Sequence, residues 1–134
     1  MNISHKKRFK QSILFKGLNH GKLYPTDLDG LLEYKNKGYI FFEVKGKEAE
    51  VKTGQKIALE RLVKDTGENK LSVAVIMDHE VTDPEDDIIL KDCTVREIYT
   101  SEYTQWRKPK PKFRGNYTAD LFFNEVIEEL DTRG

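Results

Sequence analysis

Cysteine is nearly absent from this chain: Cys93 is the only one in 134 residues. No internal disulfide is possible, so the fold does not rely on an oxidising compartment. Long hydrophobic runs are missing too. No stretch approaches the roughly 20 apolar residues of a membrane-crossing helix. The N-terminus shows no long apolar core of a secretory signal, and a cytoplasmic protein with no membrane partner is expected. Charge of one sign is also lacking, because 23 Lys and Arg balance 23 Asp and Glu. No global field draws the chain to nucleic acid, membrane or acidic partners. With no internal repeat, no low-complexity tract and no splitting linker, residues 1–134 are expected to form a single domain.

The zero net charge is a cancellation of patches. Positive charge gathers in HKKRFK (5–10) and WRKPKPKFR (106–114), and negative charge in DHEVTDPEDD (78–87). Most such runs are solvated surface. Around Trp106, the cations Arg107, Lys108, Lys110 and Lys112 leave two readings open. One is a platform that stacks on an unpaired base while the cations meet phosphates; the other is a basic connection stiffened by Pro109 and Pro111. The acidic run lacks the spacing and central glycine of a calcium loop and is expected to be a solvated loop.

Periodicity gives the elements. Residues 4–16 open at a capping Ser4, carry Phe9 and Ile13 at helical spacing and stop at Gly17, which predicts a helix with a basic outer face. The stretch from Asp29 through GLLEY, the turn residues Asn36 and Gly38, and YIFFEVK (39–45) predict a β-hairpin. The connection GKEAEVKTG is expected to be a loop with room for one more short strand. A helix over QKIALERLVKD follows, with Thr53 as its cap, Ile57, Ala58, Arg61 and Leu62 on one face and Leu59 and Val63 extending it. LSVAVIMD (71–78) reads as a strand covered on both faces in mid-sheet, TVREIYT (94–100) as an edge or half-buried strand, and 117–131 as a closing helix. Phe41, Phe42, Phe122 and Phe123 are expected in the core. The order is αββ(β)αββα, an α/β (α+β) chain with a mixed sheet flanked by helices and a C-terminal helix.

FFEVKGK (41–47) sets an acid and an amine two residues apart in an apolar strand. Alternation puts Glu43 and Lys45 on one face and Phe42 and Val44 on the other. A hairpin starting at Asp29 brings Asp29, Glu43 and Lys45 to one end of a sheet. Carboxylates in that arrangement suit a hard divalent cation such as Mg²⁺ or Mn²⁺, which takes one or two carboxylates plus water and phosphate oxygens. A lysine alongside orients or deprotonates an attacking water and offsets charge on a phosphate. Alone, E-x-K is a weak signal, since any amphipathic strand carries it for solubility.

Asp29, the hairpin, Glu43-Val44-Lys45 and Gln55 on the next helix together resemble the PD-(D/E)XK nuclease superfamily, over roughly residues 25–77. That resemblance implies a restriction-endonuclease-like αβββαβ core and a metal-dependent DNA endonuclease, of the kind phages and mobile elements use in recombination, replication or defence. Transferred residue by residue, Asp29 and Glu43 are metal ligands, the Val44 carbonyl is a further ligand, Lys45 is the catalytic lysine, and Gln55 touches the lysine, water or phosphate. Asp27 is an alternative first ligand on the same strand face, and Glu33 lies further along it. DNA is the implied partner, with Lys6, Lys7, Arg8, Lys47, Arg61, Trp106, Arg107, Lys108, Lys110 and Lys112 as candidate contacts. A homodimer is expected, because small nucleases of this group often pair to cut two strands. Residues 4–16 contain no glutamate, whereas several branches place a metal-site acid in the first helix. That departure leaves open a second reading, an inert nucleic-acid-binding or inhibitory module with the same fold.

Overall fold

A computed structural model describes residues 28–110 and 117–133. The expected helix at 4–16, and with it Lys6, Lys7, Arg8 and Asp27, lies outside the described residues, as does Lys112. Strand β1 (Gly30–Tyr34) and strand β2 (Gly38–Gly46) form the predicted hairpin, followed by helix α1 (Thr53–Thr66) and strand β3 (Leu71–His79). A 3-10 turn (Leu90–Asp92), strand β4 (Thr94–Thr100), strand β5 (Tyr103–Arg107) and helix α2 (Ala119–Thr132) complete the order. The protein is α+β, with one five-stranded mixed sheet in the order β1-β2-β3-β4-β5. Among the described residues, no helix is long and apolar enough to cross a membrane.

The hairpin turns on Lys35 and Asn36, both at positive φ (47° and 62°), with the Lys37 N–H donating to the Tyr34 carbonyl at 2.7 Å. Two left-handed residues match the right-handed twist of the flanking strands. Gly38 serves a different need from the turn. A Cβ there would stand 2.2 Å from the Leu71 carbonyl oxygen, where β2 meets β3.

β2 and β3 run parallel, connected by α1, and the other three pairings are antiparallel. β3 is the mid-sheet strand its apolar run predicts, buried from Leu71 to Met77. Among the described residues, each face of the sheet is packed by one helix. On one side Ile40, Val73, Val75, Met77 and Val95 meet Ala119, Phe122 and Leu130 of α2; on the other, Phe41, Ala74 and Tyr99 meet Leu59 and Val63 of α1. Phe41 and Phe122 are buried, while Phe42 and Phe123 are partly buried and edge-packed.

Several expectations need correction. No third strand forms between Gly46 and Thr53. Thr53 lies inside α1; Lys52 holds the N-cap position and makes no side-chain capping bond. The face α1 buries carries Leu59 and Val63, whereas Ile57 and Leu62 are 41% and 38% exposed. The shift arises because Gln55 and Lys56 extend the inward stripe and meet acids on the sheet, and a hydropathy reading scores those positions as solvent. Of the two readings of β4, half-buried holds and edge does not, since β5 takes the edge. β5 claims Trp106 and Arg107 from what reads in sequence as a basic connection.

Candidate active site

Asp29 precedes β1 and fixes its carboxylate on β2: Oδ2 accepts from the Val44 N–H at 2.7 Å. In a strand, the N–H and C=O of one residue face the same neighbour, so the Val44 carbonyl is turned to the side on which Asp29 stands. One residue back, Glu43 points to the opposite side of the sheet from the Phe42 and Val44 side chains and is only 5% exposed. Lys45 Nζ lies 3.5 Å from Glu43 Oε1. Gln55, in the first turn of α1, donates from Nε2 to the same Glu43 oxygen at 3.3 Å. The four residues singled out from the sequence therefore meet where the hairpin, β2 and the start of α1 converge.

Electrostatically the acid is under stress. Burial, and then the negative charge of Asp29, push the Glu43 carboxyl above the usual carboxylate range, and Lys45 pulls it partly back. Desolvation disfavours the charged form of any acid, and a second carboxylate nearby adds to that cost. Gln55 Oε1 is buried and has no hydrogen-bond partner among the described residues. A buried acceptor without a donor costs about 1–3 kcal/mol, so this one is set to receive an N–H, a water or a cation.

Register across the sheet adds residues the sequence did not flag. Glu43 stands opposite Ile76, and Ile76 opposite Glu97; directly opposed residues share a face. Glu97 thus lies on the α1 side, where Lys56 pairs with it at 2.9 Å. Two adjacent helix residues, Gln55 and Lys56, each engage one acid of the row. Lys45 stands opposite Asp78, whose Oδ1 is held by Arg96. Strand pairing places Asp78, Arg96 and Glu97 here, and the start of α1 adds Lys56; one sequence carries little sign of it beyond strands ending in charge.

The proposed nucleic-acid contacts are distributed differently. Trp106 is half-buried, with its ring against Tyr99 at 5.4 Å between centroids and Lys56 Nζ 5.2 Å from its own. Arg107 stacks on Tyr103 at 3.8 Å, and Lys47 pairs with Glu80 at 2.8 Å. Arg61, Lys108 and Lys110 are exposed. The 78–87 run is exposed loop after His79, with the Glu85 N–H donating to the Asp83 side chain. Cys93 is a buried thiol.

Among the described residues, no group of three or more His, Cys, Asp and Glu side chains is set to share an ion. A cation at Asp29 and Glu43 would therefore take two carboxylates, with other oxygens completing its shell. Comparison with protein-family models, curated proteins and solved structures returns no match to this chain.

Proposed function

We propose that the chain is a divalent-metal-dependent DNA endonuclease, using Mg²⁺ or Mn²⁺ on a PD-(D/E)XK site within a restriction-endonuclease-like core. One observation carries the reading: a nearly buried Glu43 sits beside a second acid and a lysine, under a glutamine whose buried oxygen has no donor. Such a carboxylate is unfavourable unless positive charge compensates it. Lys45 does so in part, and a divalent cation would complete the compensation.

The donor set fits. Asp29, whose Oδ2 accepts from Val44, and Glu43 supply two carboxylates, and the Val44 carbonyl is turned to the side on which Asp29 stands. All donors are oxygen, as a hard cation requires. A cation held by Asp29, Glu43 and the Val44 carbonyl would lower the pKa of a bound water and offset charge on a phosphate. Lys45 carries its ammonium to the mouth of the site, where it orients the attacking water and meets charge developing on the phosphoryl oxygens. Gln55 fixes Glu43 through Nε2 and offers Oε1 to the water's proton. Burial of Glu43 under α1 keeps bulk water from screening these groups.

The test is cleavage of labelled single-stranded, duplex, flapped and four-way-junction DNA with Mg²⁺ or Mn²⁺, comparing wild type with Lys45→Ala and Asp29→Asn. Cutting by wild type, with a loss of at least about a hundredfold in each variant, is expected. Equal cutting by all three, or none by any, refutes the assignment.

A further inference from the structure

Lys45 has two candidate acids, and the structure gives it only one. In the parallel pairing of β2 and β3, Lys45 stands opposite Asp78, on the same face and about 4.8 Å away between strands. Glu43 lies two residues back on the same strand. Left alone, the Lys45 ammonium would divide itself between the two carboxylates. Instead Nζ pairs with Glu43, and Asp78 is occupied by Arg96: Nε donates to Oδ1 at 2.7 Å and Nη2 lies 2.5 Å from the same oxygen. The guanidinium is anchored on its far side as well. Nη1 donates to the Ala49 carbonyl at 2.6 Å and Nη2 to the Gly46 carbonyl at 3.2 Å.

A bulge makes this possible. Ile76 pairs with Glu97 and Met77 with Val95, so Arg96 is the extra residue between them. Strict alternation would send Arg96 and Glu97 to opposite faces. The extra residue instead lets Glu97 pair with Lys56 of α1 while its neighbour Arg96 reaches Asp78. Bulges commonly re-aim a side chain in this manner near functional sites. A planar fork of five donors suits a carboxylate and two carbonyls at once, which an ammonium cannot match.

We infer that Arg96 is a positioning residue of the phosphodiester site: by engaging Asp78 it keeps the Lys45 ammonium on Glu43 and free to meet a scissile phosphate. The role rests on the nuclease reading for its consequence, and on geometry alone for the contact. Arg96→Ala releases Asp78 to draw Lys45 away from Glu43. Asp78→Asn removes the competitor, so the double variant Arg96→Ala/Asp78→Asn returns Lys45 to Glu43.

The experiment measures steady-state Mg²⁺-dependent DNA cleavage by wild type, Arg96→Ala, Arg96→Lys, Asp78→Asn and the double variant, with circular dichroism checking folding. Expected are a fall in kcat of at least about tenfold for Arg96→Ala with KM within about threefold, and recovery by the double variant to within about threefold of Asp78→Asn. Arg96→Lys keeps a cation near Asp78 but not the fork that also holds the Ala49 and Gly46 carbonyls, so a rate between wild type and Arg96→Ala is expected, and that partial loss serves if Arg96→Ala does not fold. Arg96→Ala as active as wild type, or a double variant as slow as Arg96→Ala, overturns the inference. A crystal structure of Arg96→Ala tests the contact without reference to cleavage: Lys45 Nζ is expected within about 4 Å of an Asp78 oxygen. Nζ still on Glu43 sinks the proposal even if wild type cuts. Inert wild-type protein with Nζ moved to Asp78 refutes the nuclease reading and leaves the contact standing.

Discussion

Lys45→Met separates a buried, chemically employed pair from an ordinary surface one. Methionine keeps most of the aliphatic stem and deletes the ammonium, so little packing is lost. The charges lie 3.5 Å apart, with side-chain exposures of 23% for Lys45 and 7% for Glu43. At that separation the attraction is about 5 kcal/mol for an effective dielectric of ~20 and about 1 kcal/mol in bulk water. Glu43 sits near the first limit and Lys45 reaches toward the second. The expected loss is about 2–3 kcal/mol at about pH 8, between the ~0–1 of exposed pairs and the ~3–5 of buried ones. That loss exists only while Glu43 is ionised. Its proton affinity is already raised above the reference of 4.5 by burial and then Asp29, with Lys45 opposing; without Lys45 it rises further. At pH 4.5 the carboxyl is mostly protonated with or without the lysine, and the difference should shrink below about 1 kcal/mol. Urea unfolding across this range checks it. With a slope of about 1–3 kcal/mol per molar urea, the midpoint should fall by about 1–2 M at about pH 8 and hardly at all at the acid end. A shift of equal size at both ends, or none at either, would mean that Glu43 and Lys45 are merely a solvated pair.

Glu43→Gln addresses the same acid from the other side. The folded carboxyl binds its proton more tightly than the unfolded one, so the folded state carries the extra proton above pH 4.5, and stability falls as pH rises through the folded-state pKa. Glu43→Gln should lack that decline and unfold at higher urea than wild type at about pH 8; identical pH slopes in the two proteins would contradict this. Gly38→Ala tests the close approach of β2 to β3, since a Cβ would meet the Leu71 carbonyl oxygen at 2.2 Å and Leu130 Cδ2 at 2.7 Å. A backbone oxygen cannot swing aside, so a loss of about 1–3 kcal/mol is expected, read as a fall in Tm of roughly 5–12 °C by circular dichroism. An unchanged Tm would show that the sheet accommodates the methyl.

What the sequence made legible was whatever obeys a local period. The hairpin, the mid-sheet strand and the closing helix each follow from alternation, from an unbroken apolar run or from helical spacing. Asp29, Glu43, Lys45 and Gln55 were legible as a group because a short hairpin and one following helix suffice to bring them together. The misread features depend on pairing between distant segments. β5 carries Trp106 among cations, which in sequence leaves a stacking platform and a basic connection equally open; neither reading foresees a strand whose Trp106 packs on Tyr99 of β4. The stripe of α1 includes the expected Leu59 and Val63 but turns away from Ile57 and Leu62 toward Gln55 and Lys56, and only Glu43 and Glu97 beneath them explain why polar residues face inward. Arg96 shows the limit most sharply. Its role depends on a one-residue bulge, and a bulge leaves alternation in TVREIYT almost untouched.

The strand β2 tolerates an acid and an amine because its two faces have different tasks. The face toward α2 is apolar for its whole length, through Ile40, Phe42 and Val44. The face toward α1 is apolar where Phe41 and Ala74 meet Leu59 and Val63, and further along keeps the buried Ile76 between Glu43 and Glu97. Beyond them the helix begins with Gln55 and Lys56, and the sheet below turns to Glu43, Lys45, Asp78 and Glu97. Burial is retained there while the apolar contacts give way to paired charge. Charges in that setting interact more strongly than on an open surface, and each has a partner: Lys45 for Glu43, Arg96 for Asp78, Lys56 for Glu97. Two of these pairs close at 2.5 and 2.9 Å, whereas Lys45 and Glu43 remain 3.5 Å apart, beside the unpaired oxygen of Gln55. The longest pair thus coincides with the buried acceptor that lacks a donor. A cation or a phosphate entering the row would meet the fewest satisfied groups at that point, and the shorter pairs toward β3 and β4 hold the frame in which it would be received.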